Sequence, residues 1–281
     1  MNAANTFTIN CRGHLLDLSR PAVMGIINVN DDSFYTESRS KHLHQVLDKA
    51  AAHLQAGAAI LDLGAQSTRP GAADIGGQAE LDHLLPAIHA ILHQYPQAVI
   101  SVDTYRASVA EKALQAGAAI INDISAGELD PDMIHVAAQH RAPYIAMHMQ
   151  GTPATMQRQP QYGDVVQEVL DYFIRKVAAC REAGINDIII DPGFGFGKTL
   201  AHNYTLLKHL RTFHLLQYPL LVGVSRKSMI YKLLETDAAN ALNGTTAVHT
   251  IALQQGAQLL RVHDVAAAVE AIRIVEYMQA Q

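Results

Sequence analysis

Cysteine is nearly missing from this chain. Cys11 and Cys180 are the only two in 281 residues, and two thiols alone build neither a disulfide framework nor a zinc site. Charge is also sparse: Asp, Glu, Lys and Arg make up 17% of the residues, against roughly 25% in an average soluble protein. The 21 basic and 26 acidic residues leave a net charge of -5, which gives no general electrostatic case for nucleic-acid binding. No apolar run approaches the roughly 18 residues that a membrane span needs. The start, MNAANTFTINCRG, has no charged stretch leading into an apolar core, so no signal peptide is expected. These absences point to a soluble cytoplasmic protein. What is present in quantity is apolar side chain, 49% of the chain, enough to bury a large core and to exclude disorder. Of the 15 histidines, most fall on outer helix faces, as His42 and His44 do, and read as solvated rather than liganding.

Strand-like and helix-like segments alternate from end to end. Short aliphatic or β-branched runs with little polar alternation lie at 23–29, 60–63, 99–102, 120–124, 144–149, 188–190, 220–224 and 259–262. Such runs suit strands buried on both faces, as in a parallel sheet. Helical faces fall between them. Leu43, Val46, Leu47, Ala50, Ala51 and Leu54 share one side of a helix over 43–56, and 81–93, 109–116, 165–183, 204–216 and 266–278 read alike. Gly57, Gly117, Gly184 and Gly256 each end a helix just before a strand, where a left-handed C′ residue is cheapest as glycine. This repeated unit predicts an α/β fold, a (β/α)8 TIM barrel; an open doubly wound sheet is the alternative. No linker divides the chain, so one domain is expected. The opening FTINCRGHLLDLS predicts a hairpin that plugs the barrel bottom.

In such a barrel chemistry belongs at the C-terminal strand ends, and polar residues gather there: Asn28, Asp62, Ser67 to Gly71, Asp103, Asn122 and Asp123, His148, Asp191 with the loop PGFGFGK, SRKS at 225–228, and Arg261, His263 and Asp264. Each has a bland reading. Asp62 can equally pair with a neighbouring strand or loop amide, and Asp103 can cap a helix. PGFGFGK lacks the Walker spacing. His148 in an apolar strand is more often structural. Arg226 and Lys227 open a helix whose dipole they oppose, which favours a functional use. Convergence on one mouth favours function for the set. Asp103, Asn122 and Asp191 suit a flat heterocycle with NH and NH2 donors. Arg69, Arg261 and His263, around Asn28, resemble an anion site. A polar heterocycle beside a phosphate group follows, and with it phosphoryl or diphosphate chemistry.

MGIINVNDDSF, DLGAQSTRPGA, SVDTY, INDIS, MHMQGTP, IIIDPGFGFGK, VGVSRKS and RVHD occur in the order found in dihydropteroate synthases. The chain resembles that family over about residues 22–275. The resemblance implies a single pterin-binding TIM-barrel domain across 1–281, a homodimer, and a requirement for Mg2+. The implied reaction joins 6-hydroxymethyl-7,8-dihydropterin diphosphate to 4-aminobenzoate, giving 7,8-dihydropteroate and diphosphate. Sulfonamides would inhibit it as mimics of aminobenzoate. Asn28 would hold the magnesium and diphosphate, with Thr68, Arg69, Arg261 and His263 on the diphosphate. Asp103, Asn122, Asp191 and Lys227 would bind the pterin, with Met147 packing beside it. Phe34, Pro70 and Phe196 would wall the aminobenzoate ring, and Ser228, at a helix N-terminus, would take its carboxylate. Asp103, Lys227, Arg261 and His263 carry the implied catalysis, in which diphosphate leaves first and the amine attacks a pterin cation.

The first loop departs from the family's Asn-x-Thr-Pro-Asp-Ser-Phe. Asn30 and Asp31 replace Thr and Pro, which frees the loop and adds a negative charge near the diphosphate. Two rivals remain. A pterin-barrel methyltransferase acting on methyltetrahydrofolate needs no anion pocket, so STRPG, SRKS and RVHD count against it. A non-enzymatic pterin-binding paralogue should have lost Asn28, Lys227, Arg261 or His263, and all four are present.

Overall fold

The structure, a computed structural model, describes residues 7–29, 36–66, 74–153, 155–156 and 160–281, with the side chains of 36–41 left aside. Phe34, Thr68, Arg69 and Pro70, and the Asn30-Asp31 departure, lie outside the described residues. Strands β1 (Thr8–Cys11) and β2 (His14–Asp17) form an antiparallel hairpin. Eight parallel strands follow: β3 (Ala22–Asn28), β4 (Ile60–Gly64), β5 (Ile100–Asp103), β6 (Ile120–Asp123), β7 (Tyr144–Met147), β8 (Ile188–Asp191), β9 (Leu221–Val222) and β10 (Leu259–Val262). Their order is β8-β7-β6-β5-β4-β3-β10-β9. A parallel bridge from Ile190 to Leu220 brings β8 to β9 and nearly closes the ring. The expected barrel is present.

Helices α1 (Thr36–Gln55), α2 (Gly77–Gln94), α3 (Ala107–Ala116), α4 (Asp132–Gln139), α5 (Val165–Glu182), α6 (Leu200–Lys208), α7 (Ser228–Tyr231), α8 (Leu242–Gln254) and α9 (Val265–Gln279) connect the strands. Among the described residues no helix is long and apolar enough to cross a membrane. Gly57, Gly117, Gly184 and Gly256 all take positive φ, between 95° and 117°, as their positions after helices require.

Three elements differ from the sequence reading. Helix α4 has no counterpart in it, although Met133, Val136 and Ala137 are buried at helical spacing; eight residues are too few for the period to stand out. The helix expected over 204–216 is α6 followed by a 3-10 helix, Leu210–Leu216, with His209 between them off helical geometry. Strand β9 has two residues instead of five.

Alternation along the strands separates two surfaces. Val23, Leu61, Val102, Ile121, Ala146, Ile190, Val222 and Leu260 pack outward under the helices. Met24, Ile60, Ile120, Ile145, Ile189, Leu221 and Leu259 fill the lower interior together with Ile9, Cys11 and Leu18 of the hairpin segment. The hairpin is therefore the expected plug. Leu18 has no exposed surface. Leu18→Ala should lower stability by about 2–5 kcal/mol in urea unfolding, with turnover per folded molecule unchanged, because the site lies at the other end.

Candidate active site

Two residues further along β4, β6, β8 and β10 the interior turns polar, with Asp62, Asn122, Asp191 and Arg261. Asp62 of β4 is completely buried, and Asp103 and Asn122, at the ends of β5 and β6, nearly so. Arg261 of β10 binds them together. Its Nε donates to Asp62 Oδ2 at 2.6 Å and its Nη2 to Asp103 Oδ2 at 2.5 Å. Asn122 Nδ2 donates to the same Asp62 oxygen at 3.2 Å. Asp62 Oδ1 is buried without a hydrogen-bond partner. Asp103 is not a helix cap: at the start of α3 the Arg106 N–H donates to Thr104 Oγ1 and the Ala107 N–H to Asp130 Oδ2. Burial pushes the Asp103 carboxyl upward, and Arg261 pulls it back.

Asp191 and Lys227 form the other side. Asp191 Oδ1 accepts the Gly193 N–H at 2.8 Å, and burial raises its carboxyl against the pull of Lys227. Lys227 Nζ donates to Phe194 O at 2.6 Å and stands 4.5 Å from the centre of the Phe196 ring. Burial lowers its ammonium to about 8. Gly223 lies between these groups, where a Cβ would make ordinary contacts, 3.8 Å from Asp191 Oδ2 and 3.9 Å from Lys227 Nζ. Gly64 is tighter: a Cβ there would lie 3.3 Å from the Cβ of Asp103. Met147, buried, joins Ile124, Met149 and Met156 in an apolar patch against which Tyr105 and Phe196 pack. Asp103, Asn122, Met147, Asp191, Lys227, Phe196 and Arg261 thus come together as expected.

Other expectations change. His263 was read as part of a cationic anion pocket. Burial, with Arg261 and Lys49 next, lowers it to about 4, so it is neutral at pH 7. Ser225 Oγ accepts the His263 N–H and lies 3.1 Å from its Nδ1. The hydroxyl proton can go to Nδ1, which leaves Nε2–H to donate to an anion. Arg226 is structural rather than functional: it takes φ 55° and grips Asp264 with Nε and Nη2 at 2.7 and 2.9 Å. The helix that Ser228 opens has four residues, so its dipole adds little. His148 is structural, as expected; its Nδ1 lies 2.9 Å from Lys198 Nζ, and burial lowers the ring to about 2. Asn28 ends β3 at the exposed mouth, and among the described residues its side chain has no hydrogen-bond partner. Asp62 was not singled out as a site residue. Its partners Asn122 and Arg261 lie 60 and 199 positions away, so only the fold reveals it.

An interior lined by acceptors, with two cations and an apolar side, defines a barrel for a donor-rich flat heterocycle. Residues 24–263 match the family described as pterin binding enzyme. Over 267 residues the chain is 46% identical to the dihydropteroate synthase of Escherichia coli strain K12, covering 94% of each. A crystal structure of Yersinia pestis dihydropteroate synthase with a sulfonamide drug superposes with a TM-score of 0.92 at 44% identity, covering 98% of this chain and all of that one. The Xanthomonas albilineans enzyme with 4-aminobenzoic acid gives 0.90 at 38%, covering 98% and 99%. The chain belongs to the dihydropteroate synthase family.

Asp62→Ala would strip Asn122 of its acceptor and Arg261 of one carboxylate. It should cost about 1–3 kcal/mol in chemical unfolding and weaken pterin binding at least roughly tenfold, measured by calorimetry.

Proposed function

We propose that this chain joins 6-hydroxymethyl-7,8-dihydropterin diphosphate to 4-aminobenzoate by the chemistry its family name states. The observation that supports this most is the buried Asp62–Arg261–Asp103 array beside Asn122, Asp191 and Lys227. The pterin ring presents N–H and NH2 donors to Asp191 and Asn122, with Met147 on its apolar side. The bond between the methylene carbon and the diphosphate oxygen breaks, and diphosphate leaves with the electron pair. The carboxylates around the ring, Asp103 above all, stabilise the cation that forms. The aminobenzoate nitrogen then gives its lone pair to that carbon and loses a proton to solvent. Arg261, with N–H groups beyond the two held by carboxylates, and neutral His263 receive the diphosphate, together with Thr68 and Arg69. Phe196, Phe34 and Pro70 wall the aminobenzoate, whose carboxylate goes to Ser228.

Asn28 fits a magnesium ion that arrives with the substrate. It offers a hard oxygen at the mouth, and among the described residues no cluster of His, Cys, Asp or Glu offers a complete cage. Mg2+ characteristically keeps water and phosphate oxygens as most of its ligands. When bound there it would neutralise charge on the departing diphosphate. Sulfonamides are proposed to occupy the aminobenzoate side, and a cytoplasmic homodimer is proposed through the exposed apolar residues of α8 and α9, among them Ile251 and Ile274.

Diphosphate release tests the reading. With Mg2+ and pterin diphosphate, release should require 4-aminobenzoate, yield dihydropteroate and fall with sulfamethoxazole. Tight pterin binding without release would leave a binding paralogue. Asp103→Asn should keep the fold and lower turnover at least about tenfold. It should also remove the acidic limb of the pH profile, which sits above the ordinary carboxylate range because burial raises this group. A carboxyl raised by folding adds stability in acid and loses it as pH rises through its folded value. Asp103→Asn should therefore gain urea resistance relative to wild type as pH rises.

A further inference from the structure

We propose that Lys198 is a positioning residue: its ammonium, inside the 192–198 loop, fixes the backbone and ring that hold Lys227 in the site. The inference rests on the proposed substrate contacts of Lys227 and Phe196. Lys198 closes the glycine-rich motif, yet it faces no mouth. It is 3% exposed, and its Nζ meets His148 Nδ1 at 2.9 Å, Gly193 O and Phe196 O at 3.0 Å, and His148 O at 3.3 Å. A buried ammonium is costly unless its protons are met. Here four acceptors meet them, from the loop itself and from the end of β7.

The loop runs close against the end of β7, where only glycine fits at 193 and 197. A Cβ on Gly193 would stand 1.9 Å from His148 O, and one on Gly197 2.4 Å from Gln150 O. Asn203 Oδ1 accepts the Gly195 N–H at 2.7 Å, and Tyr162 Oη donates to Gly197 O at 2.9 Å. With the Gly193 and Phe196 carbonyls turned to Lys198, the Phe194 carbonyl is left for Lys227, and the Phe196 ring lies beneath that same ammonium. An apolar residue at 198 would fill the space but strand the His148 and Phe196 carbonyl oxygens and leave Gly193 O only the Phe196 N–H. Unpaired buried acceptors favour opening of the loop, and opening withdraws both partners of Lys227.

Lys198→Met, Lys227→Met and the double variant test this. Lys198→Met should raise KM for aminobenzoate and lower kcat/KM roughly 10- to 100-fold, the scale of an ångström misplacement. Pterin diphosphate affinity by calorimetry should fall in parallel. In the Lys227→Met background, Lys198→Met should add almost nothing, because the two act as one unit. A structural role alone would lower the melting temperature and the active fraction while leaving KM unchanged. That result, or additive losses in the double variant, would overturn the proposal. Should Lys198→Met not fold, Lys198→Gln, which keeps an NH2 for the carbonyls, serves the same cycle. Absence of wild-type synthesis would count against the proposed function, and the calorimetric cycle would still decide the role of Lys198.

Discussion

Arg261 is the interaction on which the mouth depends. Two carboxylates buried at neighbouring strand ends repel each other and lack water, an arrangement that survives only with a compensating charge. Arg261 supplies it from β10, reaching past β3 to Asp62 and Asp103. Its planar fork addresses two acceptors at once, which a lysine could not do with fixed geometry. Through Asp62 the constraint passes on to Asn122. Four of the eight strands are thereby tied at the level where ligand would sit, without a covalent link or a helix cap.

This polar tier is tolerable because the tier below it is apolar apart from Ser101. Met24, Ile60, Ile120, Ile145, Ile189, Leu221 and Leu259 close the barrel beneath the carboxylates, and the hairpin seals the bottom. Water is excluded from below, so the charges above act in a low dielectric and are worth more than at a surface. Stability and chemistry are divided along the strand axis, one turn of the pleat apart.

Much of this was legible in the sequence because it is local. Period and β-branching marked the strands, and four glycines marked the helix ends. What stayed hidden depends on distance in the chain. Asp62 stood among the polar strand-end residues, but its role did not show, since its partners come from β6 and β10. Arg226 and Lys227 looked alike as neighbours in SRKS, but a positive φ at 226 turns one side chain to Asp264 while the other enters the site. Lys198, which ends a glycine-rich loop without the Walker spacing, is met by carbonyls of its own loop and by His148, contacts that the loop's composition does not show. The charge of His263 could not be read either, because burial and the neighbouring Arg261 decide it.

That neutrality bears on the proposed reaction. Asp62, Asp103 and Asp191 stand against Arg261 and Lys227, with Lys198 also acting on Asp191, and neutral His263 adds no charge. Burial raises the carboxyls of Asp103 and Asp191, and a positive charge nearby opposes that rise. A substrate that develops a cation at its methylene carbon, as proposed, supplies such a charge, and fixed carboxylates reward it as it forms without reorganising. In the proposed reaction the diphosphate is received by the remaining N–H groups of Arg261 and by neutral His263, and a magnesium ion at Asn28 would offset its charge. The ring half thus meets carboxylates and the diphosphate half meets donors, so the charges that separate as the bond between them breaks are each met by groups already in place.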